Sequence, residues 1–257
     1  MVERLGLRQP GASRTTRRAA AAPDPVELRL MNGFELLHDG APISFPMSVQ
    51  RLLAFLALQE RPIQRLYVAG KLWLDVPEER AFASLRSALW RANQPGIPLV
   101  VAVNSQLTLD PGVRVDLRDA SRQAHRVIDA GSGEDASFAI ALTGELLPDW
   151  YDDWLLIERE RYRQLRLHAL EALAGRLTVL ARYADAAEAA LTAIAGEPLR
   201  ESAHRTLVAI HLADGNAVEA LRQFRLCRRL LGDQLGIEPS ERMRALVAGL
   251  DSSETDG

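Results

Sequence analysis

Hairpin dipeptides and alternating apolar runs crowd into residues 26–116, helical periodicity alone follows, and two late segments repeat at a spacing of 34. These observations predict an α+β winged helix-turn-helix followed by all-α tetratricopeptide-like helical repeats. The expected division is a disordered arm over 1–25, a winged-helix unit over 26–116, a helical-repeat unit over 117–250 and a polar tail over 251–257.

The arm is rich in Ala and Arg and has no apolar core of a secretory signal. Its Arg14, Arg17 and Arg18 either touch phosphate or are simply solvated. From Val26, VELRLMNGFELLHDGAPISF alternates and carries Asn32-Gly33 and Asp39-Gly40, dipeptides that favour tight hairpins, so two or three short strands are expected. Pro46 opens SVQRLLAFLALQ, a helix burying Leu52, Leu53, Leu56 and Phe55. Ile63 falls in a brief extended linker. A second helix over 64–73 turns Leu66, Ala69, Gly70 and Trp73 inward. Asp75 can cap the third helix, Pro77 suits its first turn, and Glu78 and Glu79 suit its positive end.

That third helix, RAFASLRSALWRANQ, runs to about Asn93 and buries Phe82, Leu85, Ala88, Leu89 and Ala92. Pro95-Gly96 ends it. LVVAV, an Asn104-Ser105 turn, QLTLD and VRVDL then read as a hairpin with one more strand. Strands, three helices and a hairpin make the layout of a winged helix.

After Asp116 the period changes from 2 to 3.6. Helical patterns cover 117–130 and 136–143, parted by Gly131-Ser132-Gly133. The longest signal spans 150–182: Tyr162, Leu165, Ala169, Leu170, Leu173, Leu177, Leu180 and Ala181 share a face, and Arg161, Arg163, Arg166, Glu171 and Arg176 make the solvated side. Pro148 and Asp149 just upstream suit a helix start. Further helices are expected over 184–195, 199–213, 217–235 and 240–250. Asp185-Ala186 and Glu219-Ala220 stand 34 apart, and Gly-Glu-Pro at 196–198 and Gly-Ile-Glu-Pro at 236–239 close each unit. Two or three stacked helix pairs with a concave surface follow.

Composition excludes several classes. The 257 residues suit one or two domains. No run reaches the roughly 18 apolar residues of a membrane span, so no membrane partner is expected. A single cysteine, Cys227, rules out an internal disulfide and fits a reducing cytoplasm. His204 and His211 lie two helical turns apart, about 10 Å, too far to share a metal. Asp149, Asp152 and Asp153 bunch at a helix start, where acids complement the dipole. With no nucleophile, base and acid constellation, no enzyme, cofactor or metal site is expected. The net charge of −3 hides an asymmetry: residues 28–116 carry nine Lys or Arg against eight acids, residues 117–257 carry 17 against 23. Only the front half is a candidate polyanion surface.

Within it, the outward face of the third helix carries Arg80, Ser84, Ser87, Trp90, Arg91 and Gln94, with Arg86 on the flank. Arg86 and Arg91 suit phosphate or guanine edges. Ser84 and Ser87 either donate to phosphate or are only solvated. Trp90 has two readings, contact with a sugar or thymine methyl, or packing under the wing or the helical unit. Arg51 on the first helix and Arg65 and Lys71 on the second can reach flanking backbone. Asn104, Ser105 and Gln106 form the wing tip, either a groove contact or merely a turn.

WLLIERERYRQLRLHALEAL and EPLRESAHRTLVAIHLADGNAVEALRQFRLCRRLLGDQLGIEPSERMRAL closely resemble the bacterial transcriptional activator domain. The preceding half, with SLRSALWR in its third helix, resembles the winged-helix domain of streptomycete antibiotic regulatory proteins. The resemblance covers about residues 26–250. It implies a promoter activator that binds tandem direct repeats of double-stranded DNA, associates with itself on them, recruits RNA polymerase and works in the cytoplasm at the nucleoid. Larger relatives add a phosphate loop; the sequence contains no GxxxxGK[ST], so no ATP-driven switch is expected. Two features depart from a strong DNA binder: the weak charge of the front half, and Ala83 on the outward side of the third helix. Binding in tandem compensates by raising effective concentration. The alternative is a helical-repeat scaffold whose winged helix makes only protein contacts, and a third reading has DNA binding depend on an effector.

Overall fold

Short turns organise the first sheet. The computed structural model describes residues 26–93, 97–129 and 144–250; the arm, Gln94 to Gly96, the expected helix at 136–143 with its Gly-Ser-Gly lead, and the tail lie outside the described residues. β1 (Val26–Arg29) pairs antiparallel with β2 (Glu35–His38), which turns into β3 (Ala41–Pro42). Asp39 and Gly40 both take positive φ, 53° and 75°, as a two-residue hairpin turn of matching twist demands.

α1 (Met47–Ala57) follows Pro46 and buries every residue from Leu52 to Ala57. β4 (Ile63–Gln64) leads into α2 (Arg65–Leu72). The inward face of α2 is Val68, Ala69 and Leu72, whereas Leu66 is 58% exposed and Gly70 is also open, contrary to expectation. In eight residues two neighbouring stripes both fit a 3.6 period. Pairing of β4 with β6 (Gln106–Leu109) sets the rotation that sequence leaves free.

α3 (Glu78–Ala92) buries Ala81, Leu85, Ala88 and Ala92, with Phe82 and Leu89 partly covered. Pro77 occupies the N-cap and no side chain caps the helix, so Asp75 does not serve as expected; Glu78 and Glu79 in the first turn complement the dipole instead. β5 (Val100–Val103) and β6 form the wing around Asn104, which has φ 55°. β7 (Val113–Val115) leaves the wing and lies parallel to β1, completing the order β3-β2-β1-β7. Alternation located this strand, but it carries no information on its partner.

α4 (Asp116–Asp129) starts at the seam, and its first residue ties the ends of the neighbouring strands β1 and β7 together. The Asp116 carboxylate accepts from the Leu30 and Met31 amides at 2.9 to 3.0 Å. Asp116→Ala should orphan these donors and cost about 1–3 kcal/mol in urea denaturation; an unchanged midpoint would show that water replaces the carboxylate.

The helical half comprises α5 (Asp153–Val179), α6 (Tyr183–Gly196), α7 (Glu201–Ala213), α8 (Ala217–Leu235) and α9 (Glu241–Val247). Before α5, the chain returns to the first half: the Asn32 amide donates to Glu145 O and the Leu147 amide to Leu30 O. Leu146, Leu147, Leu155 and Tyr162 join the first core. This return delays the helix past Pro148 and Asp149, which had marked its expected start. Arg159 holds the turn by donating to the Leu146 and Trp150 carbonyls.

Arg166 was expected in solvent but is only 8% exposed. Its Nη1 donates to Gly144 O, and α6 closes over it: a Cβ on Gly196 would stand 2.7 Å from Nη2. Arg163, ion-paired with Glu160 and Glu197, and Glu171, ion-paired with Arg200, are likewise half-buried. Helices pack on several sides of α5, so its buried surface exceeds one stripe. Leu180 and Ala181, expected on that stripe, lie past the helix end and are exposed, Ala181 in a left-handed turn with φ 55°.

The repeat endings behave as expected. Gly236 terminates α8 with φ 67°, and the Ser240 hydroxyl caps α9 by accepting from the Met243 amide. Cys227 is buried against Phe224 and Leu231, and burial pushes its thiol up to about 11, so it stays protonated and packs as a small hydrophobe.

His204 is buried too, with Nε2 donating to Pro198 O at 2.9 Å and Nδ1 accepting from the Gln223 amide. Burial lowers its pKa. The unfolded chain therefore binds the proton more readily, and stability present above the ordinary histidine value of about 6.5 is lost as pH falls below it. The slope of stability as pH falls below about 6.5 should shrink in His204→Gln; an identical slope would assign the effect elsewhere.

Candidate nucleic-acid interface

Small residues on the inner side of α3 let that helix sit close against the core and leave its other side open. At about 100° per residue, Ala83, Arg86, Ser87 and Trp90 stand opposite Ala81, Ala88 and Ala92. Arg80, Ala83, Arg86, Ser87, Trp90 and Arg91 are all exposed and Ser84 is half-buried at the edge. Trp90 is 80% exposed, which overturns the reading that it packs under the wing or the helical half. Arg80, Arg86 and Arg91 form no ion pair among the described residues. The acids within α3 itself are Glu78 and Glu79, at the helix start.

The wing is fixed to this helix by a residue that periodicity did not single out. Asn93, just past α3, accepts from the Val100 amide at 3.1 Å and donates from Nδ2 to Val100 O at 3.2 Å. Its place between a helix end and a strand is the only signal that could have flagged it. At the other end, the Arg65 amide donates to Ser105 O and the Ser105 hydroxyl donates to Gln64 Oε1 at 2.7 Å. The wing tip thus touches the start of α2.

The remaining candidates divide. Asn104 is exposed at the tip, with Ser105 beside it, and Gln106 is half-buried in the β4–β6 pairing. Lys71 is exposed, its ammonium 5.9 Å from the Tyr67 ring centroid. Arg65 is half-buried and its Nε has no partner among the described residues. Arg51 does not project as a free cation: its guanidinium is ion-paired with Asp152, which also accepts from Trp154 Nε1 at 3.1 Å. That acidic partner comes from the residue that precedes α5, 101 residues away, and periodicity cannot reveal it.

Among the described residues no group of His, Cys, Asp or Glu could hold a metal, and no helix is long and apolar enough to cross a membrane. An open helix-turn-helix with a wing, continuous with stacked helical pairs, defines the architectural class. The profile of the bacterial transcriptional activator domain matches residues 115–250, and the chain belongs to that family, among transcriptional regulators of the streptomycete antibiotic regulatory protein type, which are not enzymes. It is 29% identical over 224 residues to Regulatory protein AfsR of Streptomyces coelicolor, covering 81% of this chain and 22% of AfsR. Regulatory protein AfsR of Streptomyces griseus is 25% identical over 238 residues, covering 85% of this chain and 23% of that protein. The chain therefore spans less than a quarter of the length of these relatives. The fold is similar to that of Mycobacterium tuberculosis EmbR, solved in complex with a low affinity phosphopeptide, with a TM-score of 0.71 at 19% identity over 90% of this chain and 66% of that one.

Proposed function

We propose that the chain is a sequence-specific DNA-binding activator. Residues 26–116 form its DNA-binding unit, α3 enters the major groove, the wing tip at Asn104 to Gln106 touches the flanking backbone, and Arg65 and Lys71 support it. The observation that carries this reading is the open face of α3, where Trp90 is 80% exposed beside Arg86 and Arg91. A large aromatic left in water is unusual and marks a contact surface. Residues 117–250 form the activating unit: their acidic excess turns them away from phosphate and towards a protein, RNA polymerase. A front half barely above neutral binds weakly alone, so protomers associate on tandem promoter sites, where effective concentration raises occupancy. Such a regulator works in the cytoplasm on nucleoid DNA.

Arg86→Ala and Arg91→Ala separate two kinds of contact. Loss of a bidentate base contact should cost about 1–3 kcal/mol at one base pair, whereas loss of a phosphate contact should weaken all sequences alike and lower the salt slope by about one. Fluorescence anisotropy on matched and scrambled duplexes reads both. Wild-type affinity and salt slope in both variants would remove α3 as the reader.

A further inference from the structure

The junction between the two halves contains a cleft of about 1080 Å³ that the DNA-binding reading does not use. It lies on the side of α1 that ends in the turn before β4, between that turn and helices α4 and α5. Its floor is apolar, from Leu58, Leu117, Tyr162 and Leu165. Its rim is cationic: Arg61, Arg118, Arg122 and Arg161 against Glu60 and Glu158, with His125 beside them.

We propose that this cleft binds a small organic anion, a phosphate- or carboxylate-bearing molecule with an apolar body. The arginines are available to such a ligand. Arg61 forms no ion pair among the described residues. Among the described residues Arg122 and Arg161 ion-pair with their own-helix neighbours Asp119 and Glu158, each with the arginine 71% exposed, and exposed pairs of this kind hold their partners weakly. Arg118 is anchored more firmly, with Nε donating to Ala57 O at 3.1 Å and Nη2 to Gln59 O at 3.2 Å. It is half-buried beside Arg122, and burial and that neighbouring charge lower its pKa, a cost that an anion in the cleft relieves. His125 commits Nδ1 to Ser121 O at 2.8 Å, leaving Nε2 as a further polar group on the rim. Converging polar groups around an apolar floor are the composition of small-molecule sites.

The position adds a consequence. α1 belongs to the first core, and the long helix that lines the cleft runs on into the second. A ligand there touches elements of both cores. The binding claim is independent of the DNA-binding reading and is measured without DNA, so either can fail alone.

Titration of the full chain with anilinonaphthalene sulfonate, an aryl anion whose fluorescence rises in apolar surroundings, tests the site. The expected result is saturable binding at one site per chain, weakened about tenfold or more in Arg61→Glu/Arg122→Glu, where two attractions become repulsions. Ser121→Trp, which leaves the charges alone and fills the cleft from α4, should weaken it as much. Arg242→Glu on α9 should bind like wild type, and thermal melting should show all the variants folded. Wild-type affinity in either the charge-reversed or the filled variant overturns the proposal.

Discussion

Leu85→Ala should destabilise the protein by about 2–5 kcal/mol, enough to threaten the whole first core of a marginally stable chain. Leu85 is among the largest fully buried side chains, and it stands on α3 amid Ala81, Ala88 and Ala92. Alanines have no side-chain freedom with which to fill a void. The helix itself is held at one end by Asn93 through the wing, so it cannot shift freely to close the gap. The cost should therefore lie well above the transfer term alone. Urea denaturation should show a lower midpoint with an unchanged slope. A loss under about 1 kcal/mol would mean that α3 rests loosely on its core, and a loosely held helix could not present Arg86 and Arg91 in fixed register.

Ser87→Glu should have the opposite profile, with stability nearly unchanged and DNA affinity reduced by about 100-fold or more. Ser87 is exposed and makes no hydrogen bond through its side chain among the described residues, so its replacement falls within the usual surface range of about ±0.5 kcal/mol. A glutamate there also gains Arg91 four residues on, a favourable helical pair. On DNA the same change places a carboxylate against phosphate, where like charges cost several kcal/mol, and engages Arg91 within the helix. Matching melting curves with lost binding would assign the effect to the interface. Full affinity would place the DNA away from this face.

Residue types and periods carried much of this architecture. Asn32-Gly33 and Asp39-Gly40 located the first turns, and the Asn104-Ser105 pair located the wing tip, because positive φ selects few residues. The outward face of α3 followed from the stripe of Phe82, Leu85, Ala88, Leu89 and Ala92. What could not be read is long-range. The parallel pairing of β7 with β1 and the return of residues 144–150 to Leu30 and Asn32 depend on chain closure, not on local pattern. The same closure buries Arg166 and engages Arg51 with Asp152, so a cation that sequence alone places in solvent is spent within the fold. Periodicity also failed where an element was too short to choose between stripes, as in α2.

The central claim is that α3 and the wing read DNA, and its most direct test is an anisotropy titration of the full chain with the DNA upstream of its own coding region, repeated across a salt series. The account predicts binding that is stronger on this DNA than on a scrambled duplex and falls steeply with salt, in proportion to the phosphates neutralised. Absence of binding at low salt would contradict it and leave the winged helix as a surface for protein contacts.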